Sequence, residues 1–176
     1  MISLGTITTP VGKMLMGATD EGICLFDFEY RKSIAAIMKR LEANIGAPFE
    51  TGVHPYFALL TTQINEYFLG LRTEFDLPLH LSGTSFQVKV WEGLRQIPYG
   101  ETRSYKQQSI FLGNEQAIRA VAGANGENGI AIIVPCHRVI GENGSLVGYG
   151  VGLARKKWLL DHERTHSGRT GQMDLF

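Results

Sequence analysis

The sequence of 176 residues has only two cysteines, no net formal charge and no apolar run of membrane-spanning length. So few cysteines exclude a disulfide-stabilised secreted scaffold. Apolar runs well short of about 20 residues predict no transmembrane helix, and the first residues lack the basic-then-apolar pattern of a signal peptide. These absences predict a soluble, cytoplasmic protein with no membrane partner. A chain of this length can still bury a sizeable core without a metal or a disulfide.

The zero net charge is the sum of opposite net charges on the two halves of the sequence. Residues 1–83 carry six basic and nine acidic side chains, which gives a charge of −3. Residues 84–176 carry eleven and eight, which gives +3. A neutral total argues against a nucleic-acid partner, but the positive second half permits a polyanion to bind there.

Residues 1–83 predict a small α/β domain built on an antiparallel sheet. Alternating apolar residues between turn residues indicate strands, and apolar residues at helical spacing indicate two helices. Cys24 lies between two apolar residues of a strand, so we expect it in the core. Nothing in this half is typical of a functional site. The predicted strands cover 3–8, 13–18 and 23–28, the helices 31–45 and 54–69, and an extended segment 73–81 that returns to the sheet.

Residues 84–166 predict a mostly helical second domain, and residues 167–176 a flexible tail. Ser85 and Ser104 are expected to cap the first two helices of this domain. A short glycine-containing break at Gly113 separates two short helices, which is typical of a helix-turn-helix. The predicted helices cover 86–97, 105–111, 115–124 and 153–163.

The segment Ile132–Ile140 combines a buried character with reactive side chains. Its apolar residues predict a core position, yet Cys136, His137 and Arg138 follow one another at its centre. Burial of such groups without partners is costly. One interpretation is a small core thiol beside a hydrogen-bonded histidine. The other is a nucleophile whose pKa is lowered by the neighbouring groups, with the imidazole reaching the thiol through a bent backbone or a bridging water.

The Pro-Cys-His-Arg-Val segment and the Gly148-Tyr149 pair resemble the active-site signature of the methylated-DNA–protein-cysteine methyltransferases. The resemblance extends from about Ser85 to Glu163, and Thr9-Pro10-Val11-Gly12 fits the first hairpin of that family. It implies a ribonuclease-H-like first domain and a helix-turn-helix second domain. It also implies DNA repair, in which an alkyl group passes irreversibly from guanine O6, or from thymine O4, to the protein, once per molecule.

The same resemblance implies catalytic roles for five residues. Cys136 matches the alkyl acceptor, His137 the base that activates it through a water, and Glu163 the carboxylate that orients the histidine. Asn128 matches the residue that braces the active-site loop, and Tyr105 the tyrosine that assists nucleotide rotation and donates to the leaving guanine. Judged from the residues alone, Glu163 is a surface helix residue, Asn128 a turn residue and Tyr105 a half-buried core aromatic.

A further set of residues matches the DNA contacts and the alkyl pocket of the family. Arg119 corresponds to an arginine that fills the gap left by a flipped-out base, although the residue alone suggests an ordinary solvated helix charge. Small residues on the same helix would allow close approach to the minor groove of duplex DNA. These DNA-binding residues are Ala117, Ala120 and Gly123, with Tyr105 beside them. The pocket residues are Val134, Pro135, Tyr149, Gly150 and Val151.

The sequence departs from the family at several positions. Gly129 stands where a proline is usual, which gives the active-site loop more conformational freedom. Val151 adds bulk at the expected rim of the pocket and predicts poorer acceptance of large alkyl groups. Cys24 has no cysteine partners, and His54 and His80 are isolated, so we expect no metal and no cofactor.

The last five residues, Gln172, Met173, Asp174, Leu175 and Phe176, are similar to the short peptide by which bacterial proteins dock on the replicative sliding clamp. The alternative for this segment is a frayed terminus. Two further functions remain open for the whole chain, which we expect to be a monomer. One is a module that binds damaged DNA without chemistry, and the other is a cysteine hydrolase with multiple turnovers.

Overall fold

Three strands of the first half form the antiparallel sheet that the sequence predicts. The computed structural model describes residues 1–150 and 152–168. Strands β1 (Ile2–Thr9), β2 (Gly12–Thr19) and β3 (Gly22–Phe28) pair as successive hairpins. A short strand β4 (Phe49–Thr51), which the sequence analysis missed, pairs parallel to β1. The sheet is therefore mixed, with the order β3-β2-β1-β4.

Two helices cover the sheet, close to their predicted positions. Helix α1 (Ile34–Ile45) begins three residues later than predicted and ends at Gly46, whose φ of 77° suits a glycine. Helix α2 (Pro55–Phe68) begins with proline at its first position, where no amide donor is needed. The extended segment 73–81 returns to the sheet as predicted, because Leu79 forms a parallel bridge with Ile23 of β3.

The second half contains the predicted helix-turn-helix. Helix α3 (Ser85–Leu94) is capped by Thr84, not by Ser85 as predicted, because the Thr84 hydroxyl accepts the Gln87 amide and the Gln87 side chain bonds back. Ser104 caps the next helix as predicted. The remaining elements are β5 (Arg103–Ser104), α4 (Tyr105–Phe111), α5 (Ile118–Gly126), β6 (Val139–Ile140) and α6 (Leu153–His166).

The hydrophobic core joins the two halves. Its larger cluster combines sheet residues such as Phe26 with helical residues such as Trp91 and Leu159. A smaller cluster between the sheet and α1 contains Cys24, which is 2% exposed and is the core residue that the sequence predicts. None of the described helices is both long and apolar enough to cross a membrane.

Candidate active site

The segment that leads to Cys136 is a series of tight backbone turns. The Ile133 amide bonds to the Ala131 carbonyl and the Cys136 amide to the Val134 carbonyl, in each case across two residues. Ile132 is buried and has a φ of 72°, a conformation that costs a β-branched residue about 1–3 kcal/mol. Residues 136–138 then form one turn of 3₁₀ helix. This bent backbone lets the side chain of Cys136 separate from those of the two residues that follow it.

The Cys136 thiol contacts a neutral amide rather than the side chains of the adjacent His137 and Arg138. Asn128 Nδ2 lies 3.3 Å from Cys136 Sγ and donates to the Val134 carbonyl at 2.9 Å. Burial raises the pKa of the Cys136 thiol, and the hydrogen bond from Asn128 only partly opposes this. The sequence interpretation in which the adjacent His137 and Arg138 lower this pKa is therefore wrong, because both side chains point to Glu163 instead.

Glu163 is the centre of a buried polar network. Its Oε2 atom lies 2.6 Å from His137 Nε2 and accepts the Tyr67 hydroxyl at 2.7 Å, while Oε1 accepts Arg138 Nε at 2.7 Å. Glu163 and His137 are 1% and 0% exposed. The surface position that the residue alone suggests for Glu163 is thus wrong, because three long-range partners enclose it.

The electrostatics of this network determine which histidine nitrogen can act as a base. Burial opposes ionisation of Glu163, but the hydrogen bonds from His137 and Arg138, together with the charge of Arg138, outweigh it and hold the carboxyl pKa well below its usual range. Burial also lowers the pKa of His137. A neutral imidazole beside an ionised carboxylate donates from Nε2. The lone pair then lies on Nδ1, which has no hydrogen-bond partner among the described residues.

A small pocket lies in front of the thiol. Tyr149 and Gly150, two of the expected pocket residues, line it with Cys136. The buried Tyr149 hydroxyl has no partner among the described residues, and Tyr105 lies beside Gly148 with its hydroxyl 3.5 Å from that carbonyl. Burial raises the pKa of Tyr105, which keeps the hydroxyl protonated.

Two other expected pocket residues, Val134 and Pro135, are placed differently. Val134 is fully buried behind the thiol, and its carbonyl accepts the Asn128 amide. Pro135 lines a separate cavity with Tyr99 and Arg138, away from the thiol pocket. Val151 lies outside the described residues.

The first half of the chain contributes to this pocket, which sequence reasoning missed. Asp27, Phe28 and Arg31 line it together with Cys136. Asp27 and Arg31 form a buried ion pair of 2.7 Å. Two opposite charges four residues apart, at the end of an apolar strand, were the available signal. The expectation that this half holds no part of a site is therefore wrong.

A lysine behind the pocket rim was also missed. Lys156 of α6 is fully buried, and its Nζ atom donates to the Val147 carbonyl at 2.6 Å. Burial lowers its pKa to about 8. This contact ties the last helix to the segment that carries Gly148 and Tyr149.

Helix α5 presents a surface of small residues beside one arginine. Arg119, Ala120 and Gly123 are exposed, whereas Ala117 is partly buried against the core. A Cβ atom at Gly123 would meet no other atom within 4 Å, so internal packing does not require glycine there. Residues 1–150 and 152–168 contain no cluster of His, Cys, Asp or Glu side chains that could hold a metal ion.

Comparison with known proteins agrees with this architecture. Residues 2–81 match the model of the 6-O-methylguanine DNA methyltransferase ribonuclease-like domain, and residues 85–165 match that of the corresponding DNA binding domain. The chain is 42% identical over 170 residues to a methylated-DNA–protein-cysteine methyltransferase of Mycolicibacterium paratuberculosis, covering 95% of both sequences. It is also 42% identical over 160 residues to one of Methanosarcina barkeri, covering 91% of this chain and 96% of the relative.

A solved structure gives the same result at the level of the fold. The crystal structure of Mycobacterium tuberculosis OGT in complex with DNA is similar, with a TM-score of 0.79 and 40% identity. The match covers 93% of this chain and 94% of that chain. With its ribonuclease-like sheet domain, its helix-turn-helix and the cysteine beside a buried His-Glu pair, the chain belongs to the family of methylated-DNA–protein-cysteine methyltransferases.

Proposed function

We propose that Cys136 accepts an alkyl group from O6 of guanine in duplex DNA, with thymine O4 as a second acceptable position. The position of Cys136 carries this proposal. Its sulfur faces a small pocket and accepts a hydrogen bond from Asn128, and the next residue is a neutral buried histidine. Residues 84–166 would form the DNA-binding and acceptor domain, and residues 1–83 the domain that supports it.

The proposed reaction begins with proton removal, because the buried thiol is not ionised by itself. His137 Nδ1 takes the thiol proton through a water, and Glu163 and Arg138 hold the imidazole in the required tautomer. The sulfur attacks the alkyl carbon, a carbon–sulfur bond forms, and the bond from that carbon to O6 breaks. The leaving guanine takes a proton from the Tyr105 hydroxyl, and the proton held by His137 returns to the tyrosinate through solvent. The thioether is stable, so each molecule reacts once.

The target base has to leave the helix before this reaction. Guanine is stacked inside the duplex, where the thiol cannot reach the alkyl carbon on O6 for in-line attack, and extrusion of the nucleotide costs a few kcal/mol. We propose that α5 lies in the minor groove, that Arg119 fills the gap in the stack, and that Ala120 and Gly123 allow close approach. Lysine and arginine side chains elsewhere in residues 84–176 would bind phosphates, with an affinity that falls as salt rises.

Intact mass spectrometry tests the acceptor directly. The protein is mixed with duplex DNA that holds one O6-methylguanine, and Cys136→Ser is compared with the matched variant Cys24→Ser. We expect one added methyl group on wild-type protein and on Cys24→Ser, and none on Cys136→Ser. A methyl group that survives Cys136→Ser would overturn the proposal. Loss of more than one methyl group from DNA per protein would indicate a hydrolase, and binding without transfer would indicate a recognition module.

A partner interaction is proposed for residues 172–176, which lie outside the described residues. Their sequence, with two apolar residues at the end, is typical of peptides that enter an apolar groove, and we propose that they dock on the sliding clamp. Binding of full-length protein to the cognate clamp is compared with binding of a chain that ends at Gly171. An unchanged affinity would exclude this contact. We also propose that the protein is a monomer, which light scattering on the same samples tests.

A further inference from the structure

Three consecutive backbone carbonyls at the end of α5, the helix proposed to bind DNA, are each held by an arginine of the first half of the chain. Arg31 donates to the carbonyls of Gly126 and Asn128, the second at 2.8 Å. Arg40 donates to the carbonyl of Glu127 at 3.0 Å and pairs with its carboxylate. These arginines are separated from the carbonyls by more than 85 residues of sequence. The loop that carries Asn128 is therefore fixed from outside its own domain.

Arg31 is the more enclosed of the two. It is 9% exposed, and its counterion Asp27 is fully buried at 2.7 Å and also accepts the Phe28 amide at 2.8 Å. Arg31 Nε donates to the Ser33 hydroxyl at 3.0 Å. All three guanidinium nitrogens thus have partners. Because this planar group has fixed donor directions, a flexible lysine ammonium cannot replace it.

The other side of Arg31 faces the pocket. Arg31 and Cys136 line the same pocket, and a Cβ atom at Gly150 would lie 2.9 Å from Arg31 Nε. On the loop side, Asn128 connects the guanidinium to the thiol. The Asn128 carbonyl accepts from Arg31, and the Asn128 amide nitrogen lies 3.3 Å from Cys136 Sγ.

The loop has a particular need for such support. Position 129, next to Asn128, is glycine, which leaves the backbone freer than a residue with a side chain would. Contacts with β3 fix part of the loop, since the Phe26 amide donates to the Gly129 carbonyl at 2.8 Å. They do not reach the carbonyls of residues 126 and 128, which Arg31 holds.

We propose that Arg31 is a positioning residue for alkyl transfer: it holds the loop so that the Asn128 amide stays directed at Cys136 and the pocket keeps its width. The inference rests on the proposed role of Cys136 as the acceptor. Since Arg31 is buried, it acts through Asn128 and does not contact DNA phosphates. Its positive charge near the sulfur also favours the ionised thiol, in opposition to burial.

The test measures two properties of Arg31→Lys and Arg31→Met, in a Cys24→Ser background that leaves one thiol. One is the single-turnover rate of methyl transfer at saturating DNA, beside the Kd for the same duplex. The other is the pH profile of Cys136 alkylation by iodoacetamide, which needs no DNA. Arg72→Met is the matched control, because Arg72 pairs with Glu66 at the surface of the same half.

We expect both Arg31 variants to transfer the methyl group about tenfold to a hundredfold more slowly, as displacement of a reacting group by about 1 Å would cause. The Kd should stay within about twofold of wild type, and the iodoacetamide profile should move to higher pH. Arg72→Met should match wild type in every measurement. Both properties are measured on samples whose near-ultraviolet circular dichroism is that of the wild type.

Three outcomes would overturn the inference. The first is that both Arg31 variants fold and keep the wild-type rate and pH profile. The second is that Arg31→Lys alone has the wild-type rate. The third is that neither Arg31 variant folds while Arg72→Met does, which would make Arg31 a structural residue only. Failure of the proposed function is distinguishable from these, because wild-type protein would then carry no methyl group on Cys136.

Discussion

Glu163 Oε2 lies 2.6 Å from His137 Nε2, while the other oxygen of the same carboxylate holds Arg138 at 2.7 Å. One buried carboxylate therefore orients the candidate base and neutralises a guanidinium. Because Glu163 has both roles, a substitution of Glu163 alone does not show what its charge contributes to stability. A neutral partner of the same carboxylate has to be substituted for comparison. Tyr67, which donates to Oε2 at 2.7 Å, offers that comparison.

Glu163→Gln should be strongly destabilising. The substitution leaves the buried Arg138 guanidinium without a counterion, for which about 3–5 kcal/mol of unfolding free energy is expected to be lost. Tyr67→Phe removes one neutral donor from the same oxygen and should cost about 1 kcal/mol. Urea unfolding followed by fluorescence measures both. Equal losses in the two variants would show that the charge of Glu163 is not the important feature.

The stability of the protein should depend on the ionisation of His137. Burial lowers the pKa of this imidazole below its usual 6.5, so at pH values below 6.5 the unfolded chain binds more protons than the folded one. The free energy of unfolding therefore falls as pH falls, by at most about 1.4 kcal/mol per pH unit for one group. His137→Gln should show a shallower slope than wild type below pH 6.5 and the same slope above about pH 7.5. Identical slopes over the whole range would contradict this assignment.

Asn128→Asp should lower the single-turnover rate of alkyl transfer by a larger proportion than it lowers the free energy of unfolding. The variant keeps the shape of the side chain but puts a carboxylate oxygen in place of the amide donor that faces Cys136 Sγ at 3.3 Å. A negative charge there disfavours ionisation of the thiol, so we expect a lower single-turnover rate and an iodoacetamide profile at higher pH. The control is Asn65→Asp, since Asn65 is exposed on α2 and does not line the pocket of Cys136. A wild-type rate in Asn128→Asp would exclude this role of the amide.

Substitutions at Gly123 should separate folding from DNA binding. Alanine in place of glycine within a helix stabilises by about 0.5–1 kcal/mol, and a Cβ atom here meets no atom within 4 Å outside its own stretch of helix backbone. Gly123→Leu should therefore fold at least as well as wild type, yet weaken binding to duplex DNA by obstructing close approach of α5. Thermal melting and fluorescence anisotropy measure the two effects. Gly123→Leu with unchanged affinity would place the DNA elsewhere.

The sequence alone determined most of the local structure of this protein. Helical and strand periodicities located β1 to β3 and every α-helix of the described residues to within a few positions, because these patterns act over neighbouring residues. The capping residue of α3 was assigned one position late, since Thr84 and Ser85 are both good caps and only the capping box with Gln87 distinguishes them. The reactive residue type and its resemblance to a family were also evident in the Pro-Cys-His-Arg-Val segment.

Only the tertiary structure decided what surrounds Cys136. Neighbours in sequence suggested that His137 and Arg138 act on the thiol, but the 3₁₀ turn directs both to Glu163, 25 or more residues away. The ion pair of Asp27 and Arg31 reaches the same pocket from the other half of the chain. Such contacts produce no periodic pattern of residues in the sequence, because they depend on how whole helices and strands pack. Burial, which raises the pKa of Cys136 and lowers the pKa of His137, is a property of that packing.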